Sequence, residues 1–262
     1  GPVAMIPPRR TKFHYDWHWF WATGNGDLGN QGIHQMDVAR WFLGEPGIAP
    51  HTLSVGGRLG YDDDGETPNT QVIVHDYAKA PLIFEVRGLS AKPGSEAMDK
   101  FLGASIGIVI HCEGGHVVVP TYTEAQAFDK SGKLLKEWKG SKSHFANFID
   151  VVRSRRTADL RGPIHEGHVS SALCHTGNIS YQLGKATPPD ELREKIKGNA
   201  AMAEAFGRMS EHLGVHDVKL DKTPATLGLP LSFDTKSEKF TGNDVANTFV
   251  KPEYRAPYVI KV

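Results

Sequence analysis

His34 stands four residues after Asn30 and three before Asp37, in the run Asn30-Gln31-Gly32-Ile33-His34-Gln35-Met36-Asp37. On a single helix, residues three and four apart share a side, so these polar groups form one cluster. An imidazole titrating near neutrality can accept a hydroxyl proton while the same carbon loses hydride, which is general-base work. Asn30 can only hydrogen-bond. Asp37 could orient the imidazole, or pair with Arg9, Arg10 or Arg40. Upstream, Trp17, Trp19 and Trp21 alternate as strand residues do, which would point them one way. They make either a wall for stacking a sugar ring or an apolar platform under a sheet. Hydrogen-bonding groups beside an aromatic wall suit a polar ligand with a carbon skeleton, such as a sugar or polyol.

Three further residues are candidates for substrate contact. Arg87, in Phe84-Glu85-Val86-Arg87-Gly88-Leu89, could bind an anionic or polyhydroxyl ligand or simply reach out from a sheet face. His165 and His175 lie in a second helical run, where Asn178 follows His175 by three. Packing or backbone capping is the competing role for each. Histidines also cluster at His14/His18 and His165-Glu166-x-His168, but H-E-x-H is not the H-E-x-x-H spacing and His14/His18 lie in an aromatic, strand-like segment, so no metal is expected. Gly24-Asn25-Gly26-Asp27-Leu28-Gly29 matches G-x-G-x-x-G. A dinucleotide loop needs a buried β-branched strand before it and a βαβ unit around it, and the aromatic lead-in supplies neither. The glycines are expected to turn the backbone beneath the tryptophans, and no cofactor-binding residue is assigned.

The elements that must hold these groups can be read in order. Residues 1–13, rich in Pro and Arg, read as an extended arm. A helix is predicted from Asn30 to Leu43, with Gly44 as its left-handed cap. His51–Leu59 reads as a strand that Gly56-Gly57 could bulge. The Asp62–Glu66 loop is acidic and solvated. Hairpins follow at Thr70–Tyr77/Pro81–Leu89 and at Ala104–Cys112/His116–Pro120, then a strand near Ala125–Phe128. Ser143 caps a helix over His144–Arg155 that should bury Phe145, Phe148, Ile149 and Val152. Gly167–Leu183 is a second helix, and Pro189–Ile196 and Ala200–Leu213 an exposed pair. The tail, 215–262, should wrap the surface without regular structure. The fold class is α+β: a mostly antiparallel open sheet with helices on one face. Val72, Val74, Leu82, Phe84 and Val86 alternate with Ile73, Ile83 and Glu85, so both faces of the first hairpin are apolar. A homo-oligomer, in the first instance a dimer through the open face, is therefore expected.

Composition narrows the classes. The 262 residues are 39% hydrophobic, enough for one large domain spanning 1–262. Thirty basic residues balance thirty acidic ones, which gives no electrostatic case for nucleic acid or an anionic membrane. No apolar run approaches the ~20 residues of a membrane span. Two cysteines build no disulfide framework. The compartment stays open, with the cytoplasm fitting best and an exported parent protein compatible.

The aromatic lead-in, the glycine turn, the run Asn30–Asp37 and Trp41-Phe42-Leu43-Gly44 together resemble the glucose-fructose oxidoreductase and inositol dehydrogenase family (Gfo/Idh/MocA). The resemblance extends to DDDGETPNTQ, HEGHVSSALCHTGNISYQLG and FTGNDVANTFVKPEYRAPYVI, and is closest to the long bacterial members. It implies a dihydrodipicolinate-reductase-like C-terminal domain, with His34 at the catalytic histidine and Asn30 at the aspartate of a D-x-x-x-H pair. It further implies NAD or NADP held by an N-terminal Rossmann domain bearing an E-K-P motif, which this sequence does not contain. The expectation is the substrate-binding, oligomerising portion of an oxidoreductase for sugars or polyols, without bound cofactor of its own. The alternatives are a non-catalytic carbohydrate-binding or assembly module, and an NAD-dependent glycoside-cleaving enzyme.

Overall fold

The computed structural model describes residues 16–251, 256–257 and 259; the expected N-terminal arm, Arg9, Arg10 and His14 lie outside the described residues. After a 3-10 turn at Trp17–Trp19 come α1 (Gly26–Asn30), α2 (Gly32–Leu43), β1 (His51–Gly57), β2 (Thr70–His75) and β3 (Leu82–Arg87). A meander follows: β4 (Ile108–Cys112), β5 (Gly115–Thr121), β6 (Glu124–Asp129) and β7 (Leu134–Lys139). The rest is α3 (His144–Ser154), α4 (Ile164–Gln182), β8 (Lys185–Ala186), α5 (Pro189–Ile196), α6 (Ala200–Val215), β9 (Thr226–Leu227), β10 (Leu231–Asp234), β11 (Lys239–Phe240) and α7 (Asp244–Thr248).

The class is α+β with two antiparallel open sheets. The larger runs β11-β10-β1-β2-β3, with β9 on β1 and β8 on β9; the smaller runs β4-β5-β6-β7. β2 is the centre, buried at every residue. Its side chains alternate between two cores, as the twofold period of a strand requires. Val72 and Val74 pack with Met202, Phe206, Met209 and Leu213 of α6. Ile73 faces the other way, into Leu28, Met36, Leu173 and Cys174 from α1, α2 and α4.

Helices therefore cover the large sheet on its second face as well as its first. The α5–α6 pair, expected to be exposed, supplies that cover through an apolar stripe at Met202, Phe206, Met209 and Leu213. The apolar hairpin face that suggested pairing with a second copy is thus buried within one chain. Four further expectations change. The meander does not end at β6: Leu134–Lys139 adds a strand, exposed along its length. The helix at His144–Ser154 forms on its Ser143 cap, whose Oγ accepts from the Ala146 amide at 3.1 Å. Yet Phe145 is 71% exposed, and Phe148, Ile149 and Val152 are exposed with it, because only Val151 turns inward. The tail is more regular than expected, since β10 pairs β1 and a small core of Leu231, Phe240 and Ala246 forms there. β1 pairs β2 from Thr52↔His75 to Gly57↔Thr70 without a bulge.

Because α6 is the second cover, Phe206→Ala should destabilise the fold by roughly 3–5 kcal/mol, the usual cost of emptying a buried aromatic site. Denaturant unfolding measures this, and a loss under about 1 kcal/mol would mean the helix is not docked as described.

Candidate functional site

The expected helix is divided. α1 ends at Asn30, Gln31 intervenes, and α2 restarts at Gly32. Gly44, at φ 70°, closes α2 in the left-handed conformation that glycine adopts without strain, its amide reaching the Arg40 and Trp41 carbonyls. Arg40 is 2% exposed and anchors α2. Its Nη1 donates to the Glu45 carbonyl at 2.7 Å, and its Nη2 pairs closely with Glu166 of α4 and stands 3.5 Å from Asp37 Oδ1. Ser170 Oγ, also on α4, donates to the same Asp37 oxygen at 2.7 Å. Asp37 thus serves the helix pair, meeting Arg40 and Ser170 among the described residues.

His34 lies on the exposed side of α2, and Asn30, at the end of α1, is exposed too. The imidazole meets the Tyr122 ring edge-on, with centroids 5.7 Å apart. Tyr122 occupies the two-residue turn between β5 and β6 of the small sheet, where Thr121 pairs Glu124. Its hydroxyl accepts from Gln31 Nε2 and, at 3.4 Å, from Gln35 Nε2; Gln31 Nε2 is also 3.4 Å from Gln35 Oε1. β4 lies against α2, so the small sheet brings this turn over the helix. An imidazole, a phenol and two amides meet here, a set able to hold hydroxyl oxygens and move one proton. Of this set sequence reasoning singles out only His34; Gln31 and Gln35 lie in the same run unassigned, and Tyr122, 91 residues from Gln31, carries no local signal.

The tryptophans do not form one wall. Trp17–Trp19 is a 3-10 turn, not a strand, and Thr23 Oγ1 ties back to the Trp17 carbonyl at 2.7 Å. Trp17 is 48% exposed and stacks on His18 at 3.7 Å, whereas Trp21 leans towards Tyr181 of α4 at 6.4 Å. The glycine run is packed against protein. A Cβ on Gly24 would fall 2.5 Å from the His18 carbonyl oxygen, and one on Gly26 (φ 69°) 2.8 Å from Thr67 Cβ. The helix that opens within the run, Gly26–Asn30, is only five residues long, and with the glycines packed against protein they do not fit a pyrophosphate cradle.

The family model for the GFO/IDH/MocA C-terminal domain matches residues 5–117. This stretch, under half of the chain, is similar to the C-terminal domain of the GFO/IDH/MocA family. It carries α1, α2, His34 and strands β1, β2 and β3 of the large sheet, while Tyr122 and α4 lie beyond it. No curated protein matches the chain. Among solved structures, it is similar to an oxidoreductase from Thermotoga maritima (16% identity, TM-score 0.41, covering 66% of this chain and 49% of that one). It is similar also to the WlbA dehydrogenase from Bordetella pertussis in complex with NADH and UDP-GlcNAcA (18%, 0.36, covering 64% and 47%). A third is GenD2 from gentamicin A biosynthesis, in complex with NAD (16%, 0.33, covering 64% and 48%). The chain spans about half the length of these structures.

Elsewhere in the matched stretch, Arg87 lies within an ion network rather than open to a ligand. It pairs with Glu85 at 2.5 Å and closely with Asp99, and Arg208 of α6 meets Glu85 at 2.6 Å. His165 and His175 are exposed on α4 and are not brought to His34 by any contact among the described residues. Glu166 holds Arg40, and His168 Nε2 stands 2.8 Å from Glu238, so the His165–His168 group is divided between separate pairings. Asn178 is buried and donates to the Asn25 carbonyl at 2.9 Å, pinning the glycine turn to α4.

Sequence reasoning missed Asp27. Burial pushes its carboxyl up to about 6, against the opposing pull of Arg58 and His18. A folded-state pKa above the unfolded one stabilises the fold below the unfolded value, and that contribution is lost as pH rises through about 6. Asp27→Asn should therefore flatten the fall in stability between roughly pH 4 and 6, and leave the variant more stable at pH 7 by about 1–2 kcal/mol after solvent screening. Chemical denaturation at several pH values checks the slope; an unchanged profile would show Asp27 ionising as it does in the unfolded chain.

Proposed function

We propose that this chain is the substrate-binding portion, residues 1–262, of an NAD(P)-dependent oxidoreductase acting on a sugar, a polyol or a sugar derivative. The observation that carries the reading is the exposed His34 imidazole at the start of α2, beside Tyr122, Gln31 and Gln35, within a stretch of GFO/IDH/MocA type. His34 is the proton acceptor for the hydroxyl whose carbon is oxidised, and its solvent-facing ring can pass the proton on. Asn30 contributes hydrogen bonding to the substrate. The nicotinamide nucleotide supplies the hydride acceptor and belongs to residues other than the glycine run described above.

A second reading is supported by Asp37. General-base histidines are ordinarily held in one tautomer by a neighbouring group, and Asp37 is committed to Arg40 and Ser170 instead. That arrangement favours a carbohydrate-binding module in which His34 only hydrogen-bonds. The glycoside-cleaving variant uses the same proton acceptor and is separated from simple oxidation by product analysis.

In the protein joined to its nucleotide-binding partner domain, His34→Ala should lower turnover roughly 10²–10⁴-fold with ligand binding largely kept. Asn30→Ala should act mainly on KM. Wild-type turnover in His34→Ala would move the base elsewhere, and favour the binding module for this site.

A further inference from the structure

Tyr122 belongs to neither the expected site nor the matched stretch, yet its hydroxyl has a defined hydrogen-bonding state. A phenolic oxygen accepts through its lone pairs and donates its single proton. Here the acceptor side is occupied by Gln31 Nε2 and Gln35 Nε2, both from α2. The Gln31 amide also reaches Gln35 Oε1, so the two glutamines orient each other. Among the described residues no acceptor receives the Tyr122 proton, and the residue is 66% exposed at the same surface as His34. What remains for a ligand is one O–H donor, aimed by two amides and standing beside an imidazole.

We infer that Tyr122 is a substrate-contacting donor of the His34 site, reading a hydroxyl or ring oxygen of a polyhydroxyl ligand as an acceptor. The inference rests on the site proposed above and deepens it. His34 takes a proton from one ligand oxygen while Tyr122 gives a hydrogen bond to a neighbouring one, which fixes which hydroxyl faces the base. Ligand selection then depends on the small sheet, because the turn carrying Tyr122 reaches α2 only when the meander is docked on it. A ligand oxygen unable to accept at that place, as in a deoxy sugar, would lose this contact.

The test uses this chain with myo-inositol and D-glucose as separate probes, following the His34 ring protons by NMR titration. At least one probe should shift the His34 resonances in the wild type. Tyr122→Phe, which keeps the ring and its edge-on contact, should weaken that probe about threefold to tenfold, the worth of one hydrogen bond. Gln31→Ala should weaken it about twofold to threefold by releasing the hydroxyl from its set orientation. Unchanged affinity in Tyr122→Phe overturns the donor assignment while leaving His34 as the site. If neither probe moves His34 in the wild type, the proposed site itself fails and this inference with it.

Discussion

The buried charge of Arg40 is the constraint on which the site's geometry depends. A guanidinium removed from water costs several kcal/mol unless its donors are met. Here the partners come from three places: Glu166 on α4, Asp37 one turn back on α2, and the Glu45 carbonyl just past the helix end. Ser170 donates to Asp37 in turn, while the Arg40 Nε is buried without a hydrogen-bond partner. Two helices must therefore lie side by side in one register, or a charge is left unpaired in the core. With that register fixed, Met36 and Ile33 turn towards Ile73 and Leu173, and His34 turns outward.

The large sheet makes this arrangement rigid. Its central strand is buried on both faces, so each face has a helical layer, and one chain supplies both. α2 and α4 form one layer, α5 and α6 the other. The small sheet is then free of packing duties on the main core. It brings its β5–β6 turn to α2 and adds Tyr122 to a surface that the first layer alone would leave as two glutamines and a histidine.

Much of this was legible in the residues. The Gly44 cap, the Ser143 cap, the β2–β3 hairpin and the helix from Pro189 to Ile196 all follow from local rules, and the structure has them. What escaped has physical reasons. β7 reads Leu-Leu-Lys-Glu-Trp-Lys, with charges that suit an exposed edge but blur the strand pattern. The stripe of α6 is built from Met202, Ala205 and Met209 between glycines and charges, so its burial shows only once β2 is seen to need cover. α3 misled in the opposite sense: its spacing is that of a buried face, and Phe145 and Phe148 stand in solvent. At the site, His34 was legible from its setting in α2. Tyr122 was not, because a turn residue across 91 positions leaves no spacing to read.

The most direct test of this account is a double-mutant cycle on Arg40 and Glu166, measured as unfolding free energy. The two singles, Arg40→Met and Glu166→Gln, should each destabilise the fold by about 2–4 kcal/mol, since each strands a partner. The double variant should cost less than their sum by more than about 1 kcal/mol, because with both ends of the Arg40–Glu166 pair removed neither is left facing an unpaired partner. Losses that add to within about 0.5 kcal/mol would show that the pair is not coupled. The account of how α2 is held, and with it the placing of His34, would then be wrong.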